Sequence, residues 1–188
     1  MKILVVSDLL YGENYGITIK CMNLIKHLYK NEDDVRLLCP DANRVGMLNY
    51  YIIKKIKFDN VTDAVSEINN AILDRQTTKV IKGIIKEMDV IHIMSPFYLG
   101  NLVARVAHKM GIPVTAGFHS QAENITASLQ MMNVELANKV TYQRFYDGLY
   151  KYANAIHYPT EFVKMLFENS IGRRNNVPIS SPSNRIFK

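Results

Sequence analysis

The sequence predicts an α/β protein, a doubly wound, Rossmann-like parallel sheet in a single domain. Three observations carry this: short apolar runs with little alternation, amphipathic helical segments between them, and a chain of 188 residues, 48% of them apolar. That length suffices for one packed core and leaves no room for a second of similar size. The opening run Lys2-Ile3-Leu4-Val5-Val6 has the composition of a strand buried on both faces of a parallel sheet. From Ile17 to Lys30, Cys21, Leu24, Ile25 and Leu28 fall on one helical face. Lys20, Asn23, Lys26 and His27 fall largely on the other, so this helix packs on the sheet. Val35 to Cys39 is the next strand, ended by Pro40-Asp41, which begins a turn.

The same rhythm returns further along: a strand over Val90 to Met94, a helix from about Leu99 to Met110, a strand over Pro113 to Gly117, a long helical stretch, and a strand over Ala155 to Tyr158. Repeated βαβ units imply right-handed crossovers. Residues 44 to 88 suggest helices around Val45 to Ile56 and Asp74 to Glu87, with a short strand near Lys57-Phe58. The organisation expected is one domain over residues 1–172, then a short strand and linker stub over 173–188, with no donor-binding second domain in the chain.

Composition narrows the function classes. No secretory signal is read at the N-terminus, and no apolar run reaches the roughly 20 residues of a membrane span, so a cytoplasmic protein is expected, at most peripheral at the inner membrane face. Cys21 and Cys39 stand apart with no ligand-like spacing and read as buried, reduced thiols; neither a metal nor a cofactor is expected. The net charge is +6, and Arg44, Lys54, Lys55 and Lys57 gather in one segment that could meet phosphate, nucleic acid or an anionic membrane. A solvated helix face explains these lysines equally well. Nucleic acid is not among the expected partners.

In an open parallel sheet, ligands collect beyond the carboxyl ends of the strands. The residues there are Ser7 and Asp8 with a loop holding Gly12, Asn14 and Gly16; Pro40-Asp41; Ser95 to Tyr98; Phe118-His119-Ser120 with Glu123-Asn124; and Pro159 to Glu161. The glycine spacing is neither GxGxxG nor a P-loop, which disfavours a dinucleotide or ATP. His119 lies in a polar loop after a strand, a working position for an imidazole, although a lone loop histidine is more often structural. Glu123 and Asn124 add a carboxylate and an amide, a set suited to sugar hydroxyls, although an acid near a helix start also simply complements the helix dipole. His92 and His157 fall inside strands and are expected to be buried and hydrogen-bonded, and the stripe Tyr142, Phe145, Tyr146, Leu149, Tyr150 reads as a packing face. No hydrolytic triad or paired catalytic carboxylates can be assembled.

In order along the chain, several of these pieces resemble glycosyltransferase family four, of the two-domain GT-B group. They are Lys2 to Asp8 with the glycine loop, Asp89 to Phe97 with Leu99-Gly100, Gly111 to Ser120 with Glu123 to Thr126, and Tyr152 to Val163. The resemblance implies the N-terminal, acceptor-side half of an enzyme that moves a sugar, with retention, from a nucleotide-diphosphate donor to a glycolipid or saccharide acceptor, with no required metal. It also implies that His119 lies beside the transferred sugar, that the backbone at Gly16 faces the donor diphosphate, and that Ser95, Phe97, Tyr98, Glu123 and Asn124 shape the acceptor side. Two departures stand out. Tyr15 precedes Gly16 where the family has a small residue, and Ile179-Ser180-Ser181 runs to Lys188 without the family's second domain. The expected partners are therefore a nucleotide sugar, a carbohydrate or lipid acceptor, and a separate donor-binding domain or subunit, with little transfer by this chain alone. Two rivals are weighed: a non-catalytic module that pairs with a glycosyltransferase subunit or a membrane through Lys54 to Lys57, and an unrelated flavodoxin-like or nucleotide-binding domain.

Overall fold

A computed structural model describes residues 1–8, 10, 16–40, 49–52, 75–172 and 179–180, the side chains of 75, 76, 179 and 180 excepted. Seven strands form one parallel sheet in the order β3-β2-β1-β4-β5-β6-β7. They are β1 (Lys2–Val6), β2 (Asp34–Cys39), β3 (Tyr50–Ile52), β4 (Val90–Ile93), β5 (Val114–Gly117), β6 (Ala155–His157) and β7 (Ile179–Ser180). The helices are α1 (Gly16–Lys30), α2 (Arg75–Ile85), α3 (Tyr98–Met110), α4 (Ala122–Ala127), α5 (Glu135–Gly148) and α6 (Glu161–Ile171), with a 3₁₀ turn at Tyr150–Tyr152. Because β1 lies between β2 and β4, the order reverses there, as in a Rossmann sheet and not in the flavodoxin order.

Two apolar cores follow from the winding. On one face Cys21 and Ile25 of α1 pack on Ile3, Val5, Val35 and Leu37. On the other, α2, α3, α5 and α6 cover Leu4, Val6, Ile91, Ile93, Val114, Ala116 and Ile156. Both cysteines are buried. At the centre of the larger core Phe118 contacts Tyr142, Tyr150, Tyr158 and Phe167, with ring centroids 4.7 to 6.3 Å apart. The aromatic stripe of α5 is thus a packing face. The single long helical stretch expected between β5 and β6 is instead α4, a turn, α5 and the 3₁₀ turn.

One expectation is overturned. Tyr50–Ile52, assigned to a helix over Val45 to Ile56, is the edge strand β3, paired with Leu37 to Cys39. Asn49 before it has φ 67°, a left-handed conformation that asparagine tolerates and that ends any helix, and its carbonyl accepts Leu37 N–H at 2.9 Å. Paired aromatic and β-branched residues then favour the sheet. The glycine loop at 11–15, Asp41, Arg44, Lys54 to Lys57, Phe58, and the tail over 173–178 and 181–188 lie outside the described residues.

The α1 face is covered unevenly. Along β4, β5 and β6 the residues facing it, Val90, His92, Thr115, Ala155 and His157, are half-buried, Gly117 beneath His119 excepted, while their neighbours along each strand are fully buried. His92 and His157 are therefore less enclosed than their strand positions suggest, because among the described residues no helix covers this half of the face.

Candidate functional site

The site lies at the carboxyl ends of β1, β4 and β5, around the point where the strand order reverses. After β5, Phe118 N–H donates to the His157 carbonyl at 2.9 Å, which prolongs the ladder by one residue. Phe118 thereby points into the aromatic core, and His119 returns to the α1 face, the side of Gly117. The imidazole folds over Gly117 so closely that a Cβ there would overlap Nε2. Gly117 is required by this contact. His119 Nδ1 is buried with no hydrogen-bond partner, and the ring stands 6.4 Å from that of His157.

Electrostatics keep this imidazole neutral. Desolvation, then the Lys20 charge on α1, then His92 and His157 lower the His119 pKa to about 4. His92, desolvated and near His157, is also lowered to about 4, and its Nδ1 lies 2.9 Å from the Thr115 hydroxyl on the paired strand. His157 is shifted downward by desolvation and by Lys20. Three neutral imidazoles and one ammonium therefore share this end of the face. Such a set hydrogen-bonds hydroxyls in either sense, and Lys20 supplies the positive charge.

The second feature joins β1 to α3. The Asp8 carboxylate accepts Leu99 N–H at 2.6 Å and Gly100 N–H at 3.0 Å, and so caps α3 from a distant strand while Phe97, at the cap position itself, gives no side-chain bond. Desolvation raises the Asp8 pKa to about 6 against these two amides. Ser95 Oγ is near enough to favour the ionised carboxylate, but its geometry falls short of a hydrogen bond and leaves it buried without a partner. Gly100 makes the approach feasible, since a Cβ there would collide with the Ser95 carbonyl and stand 2.8 Å from Ile93 Cγ2.

The other expected site residues divide. Gly16 is the first residue of α1, whose first turn has no acidic residue, and among the described residues a Cβ on it would meet nothing within 4 Å. Ser95 is buried under the rim. Phe97 and Tyr98 are half-buried against the large core, Phe97 edge-on to Phe145 with centroids 6.3 Å apart. The Glu123 carboxylate accepts the Tyr142 hydroxyl at 2.5 Å, which turns it toward the α5 layer and away from His119, and Asn124 is exposed. The structure thus brings His119 together with Lys20 and His157, and does not bring it together with Glu123. Lys20 and Gly117 had not been singled out. Their signals were spacing: Gly117 precedes His119 by two, the strand period, and Lys20 follows Gly16 by four, one helical turn.

The sequence pattern of Glycosyltransferase Family 4 matches residues 16–179. This chain belongs to glycosyltransferase family 4. No curated protein matches it. Among solved structures, the UDP-GlcNAc 2-epimerase of Methanocaldococcus jannaschii superimposes with a TM-score of 0.53 at 17% identity, over 96% of this chain and 45% of that one. The S. aureus MnaA-UDP co-structure does so with a TM-score of 0.53 at 12% identity, over 95% and 42%. At such identities the likeness is one of fold alone. This family 4 chain spans less than half the length of either structure, and its Rossmann-like architecture is the one they share with it.

Proposed function

We propose that this family 4 domain is the acceptor-side half of a retaining glycosyltransferase, which moves a sugar from a nucleotide-diphosphate donor to a hydroxyl of a glycolipid or saccharide. The observation that carries the reading is the His119 imidazole, seated over Gly117 at the reversal point with its buried Nδ1 unpartnered. A buried nitrogen without a partner is costly, and a ligand hydroxyl would satisfy it. Since the ring is neutral at pH 7, its role is to orient the sugar by hydrogen bonds rather than to neutralise the diphosphate. That charge falls to Lys20 and to the open α1 start at Gly16. In the transfer, the anomeric carbon leaves the diphosphate oxygen for the acceptor oxygen, and the acceptor proton goes to the departing diphosphate.

The test is transfer from labelled nucleotide sugars to saccharide and glycolipid acceptors, with and without the protein encoded directly downstream. Transfer is expected only with a donor-binding partner, and His119→Ala lowers it roughly a hundredfold with folding unchanged. Enzyme-like turnover by this chain alone, or full activity in the folded variant, overturns the reading.

A further inference from the structure

On the side of the sheet opposite His119, an open cavity of about 410 Å³ lies between α5 and α6, beside the start of α4. Its volume is that of a small-ligand site, yet such sites are ordinarily lined by apolar side chains with a few polar groups among them. Here the proportions are reversed. Met132, Leu166 and the Tyr142 ring supply the apolar part of the wall, and every other lining residue is polar or charged. An apolar guest would strand those groups away from water, which is costly.

The polar wall has two parts. One is tied into the fold: Glu123 accepts the Tyr142 hydroxyl at 2.5 Å, Asn138 accepts the Thr126 hydroxyl at 2.5 Å, and the Asn138 amide donates to the Met132 carbonyl at 2.8 Å. The other is uncommitted. The exposed side chains of Asn133, Glu135, Lys139 and Asn169 engage no other described residue by hydrogen bond or ion pair.

Charge selects among polar ligands. Glu123 and Glu135 oppose Lys139 alone, so an anion is repelled. A cation meets the Lys139 ammonium, and among the described residues no three His, Cys, Asp or Glu side chains gather as metal ligands. A neutral ligand rich in hydroxyls uses every group: the carboxylates and amide oxygens accept, the amide N–H groups and the ammonium donate, and each hydroxyl does both. The C–H faces of its rings rest on Met132 and Leu166.

We propose that this cavity is a binding site for a neutral saccharide, separate from the transfer centre, with Asn133, Glu135, Lys139 and Asn169 taking the sugar hydroxyls. The sheet stands between it and His119. Binding here stands by itself. Its corollary, that a saccharide acceptor is held by one part in this cavity while another part reaches the reversal point, rests on the glycosyltransferase reading.

Saturation-transfer NMR titrations of the chain with maltose, lactose and diacetylchitobiose, beside glucose 6-phosphate and spermidine, test it. At least one neutral disaccharide is expected to bind, and both charged probes more weakly. Asn169→Ala and Glu135→Ala each weaken that binding roughly fivefold, the loss of one hydrogen bond, whereas His119→Ala leaves it unchanged. The two substituted side chains are exposed, so circular dichroism and unfolding midpoints should stay at wild-type values. Three outcomes overturn the proposal: no binding of any neutral disaccharide, tighter binding of either charged probe, or binding that survives undiminished when Asn169→Ala and Glu135→Ala are combined. Saccharide binding without sugar transfer in the downstream-partner assay sinks the glycosyltransferase reading and leaves this site intact. Transfer that proceeds with no saccharide bound between α5 and α6 does the reverse.

Discussion

At the scale of single residues, Gly117 and His119 act as one unit. Gly117→Ala adds a methyl group where the imidazole lies, so the ring must leave its seat while the strand remains. We expect this variant to lose transfer about as severely as His119→Ala, and to move the His119 ring resonances in NMR toward those of an exposed histidine. Asp8 and the histidines have opposite linkage to pH. Asp8 holds its proton up to about 6 in the fold and to 3.8 ordinarily, so its stabilising contribution is full below 3.8 and is lost as pH rises through 6. His92 and His119 titrate near 4 in the fold and 6.5 ordinarily, so theirs is present above 6.5 and is lost as pH falls toward 4. Between pH 4 and 6 the two oppose each other. Asp8→Asn removes one of them, and denaturant midpoints measured across this range should fall more steeply on acidification than in the wild type.

Among the elements, β4 and α3 meet closely where Gly100 lies against the backbone at Ser95. Gly100→Ala is expected to cost about 1–3 kcal/mol in denaturant unfolding, because a packed backbone yields little to an added methyl group. Most elements were legible because period and composition agree: β1, α1, β2, α2, β4, α3, β5 and β6 stand near where the pattern puts them, whereas α6 was not read from the sequence. Gly111, with φ 70°, ends α3 through the left-handed cap that glycine favours. Tyr50–Ile52 was illegible because its apolar residues fit a helical period, and only pairing with β2 decides for strand. At the site, His119 and Asp8 could be placed at strand ends, since strand direction fixes which ends meet. The side to which each side chain turns could not be read. Glu123 follows His119 by four residues, yet a bond to Tyr142, nineteen residues further on, turns it away.

At the scale of the whole molecule, protection should follow the strand order. Amides of β1, β4 and β5, which lie in the interior of the sheet with helices on the large-core face, are expected to exchange with deuterium slowest, and those of the short edge strands β3 and β7 fastest. Mass spectrometry of the exchanging chain measures this ranking directly. The winding also leaves the two helix starts flanking the reversal point in unlike states. The positive end of α3 is quenched internally by a carboxylate that the chain itself supplies, while that of α1 has no acid in its first turn. Among the described residues, a dianion approaching the crevice therefore finds an unquenched helix start on one wall alone. The molecule thus imposes a polarity on whatever enters: the negative end must point toward the first helix, and an elongated guest has one favourable direction in which to lie.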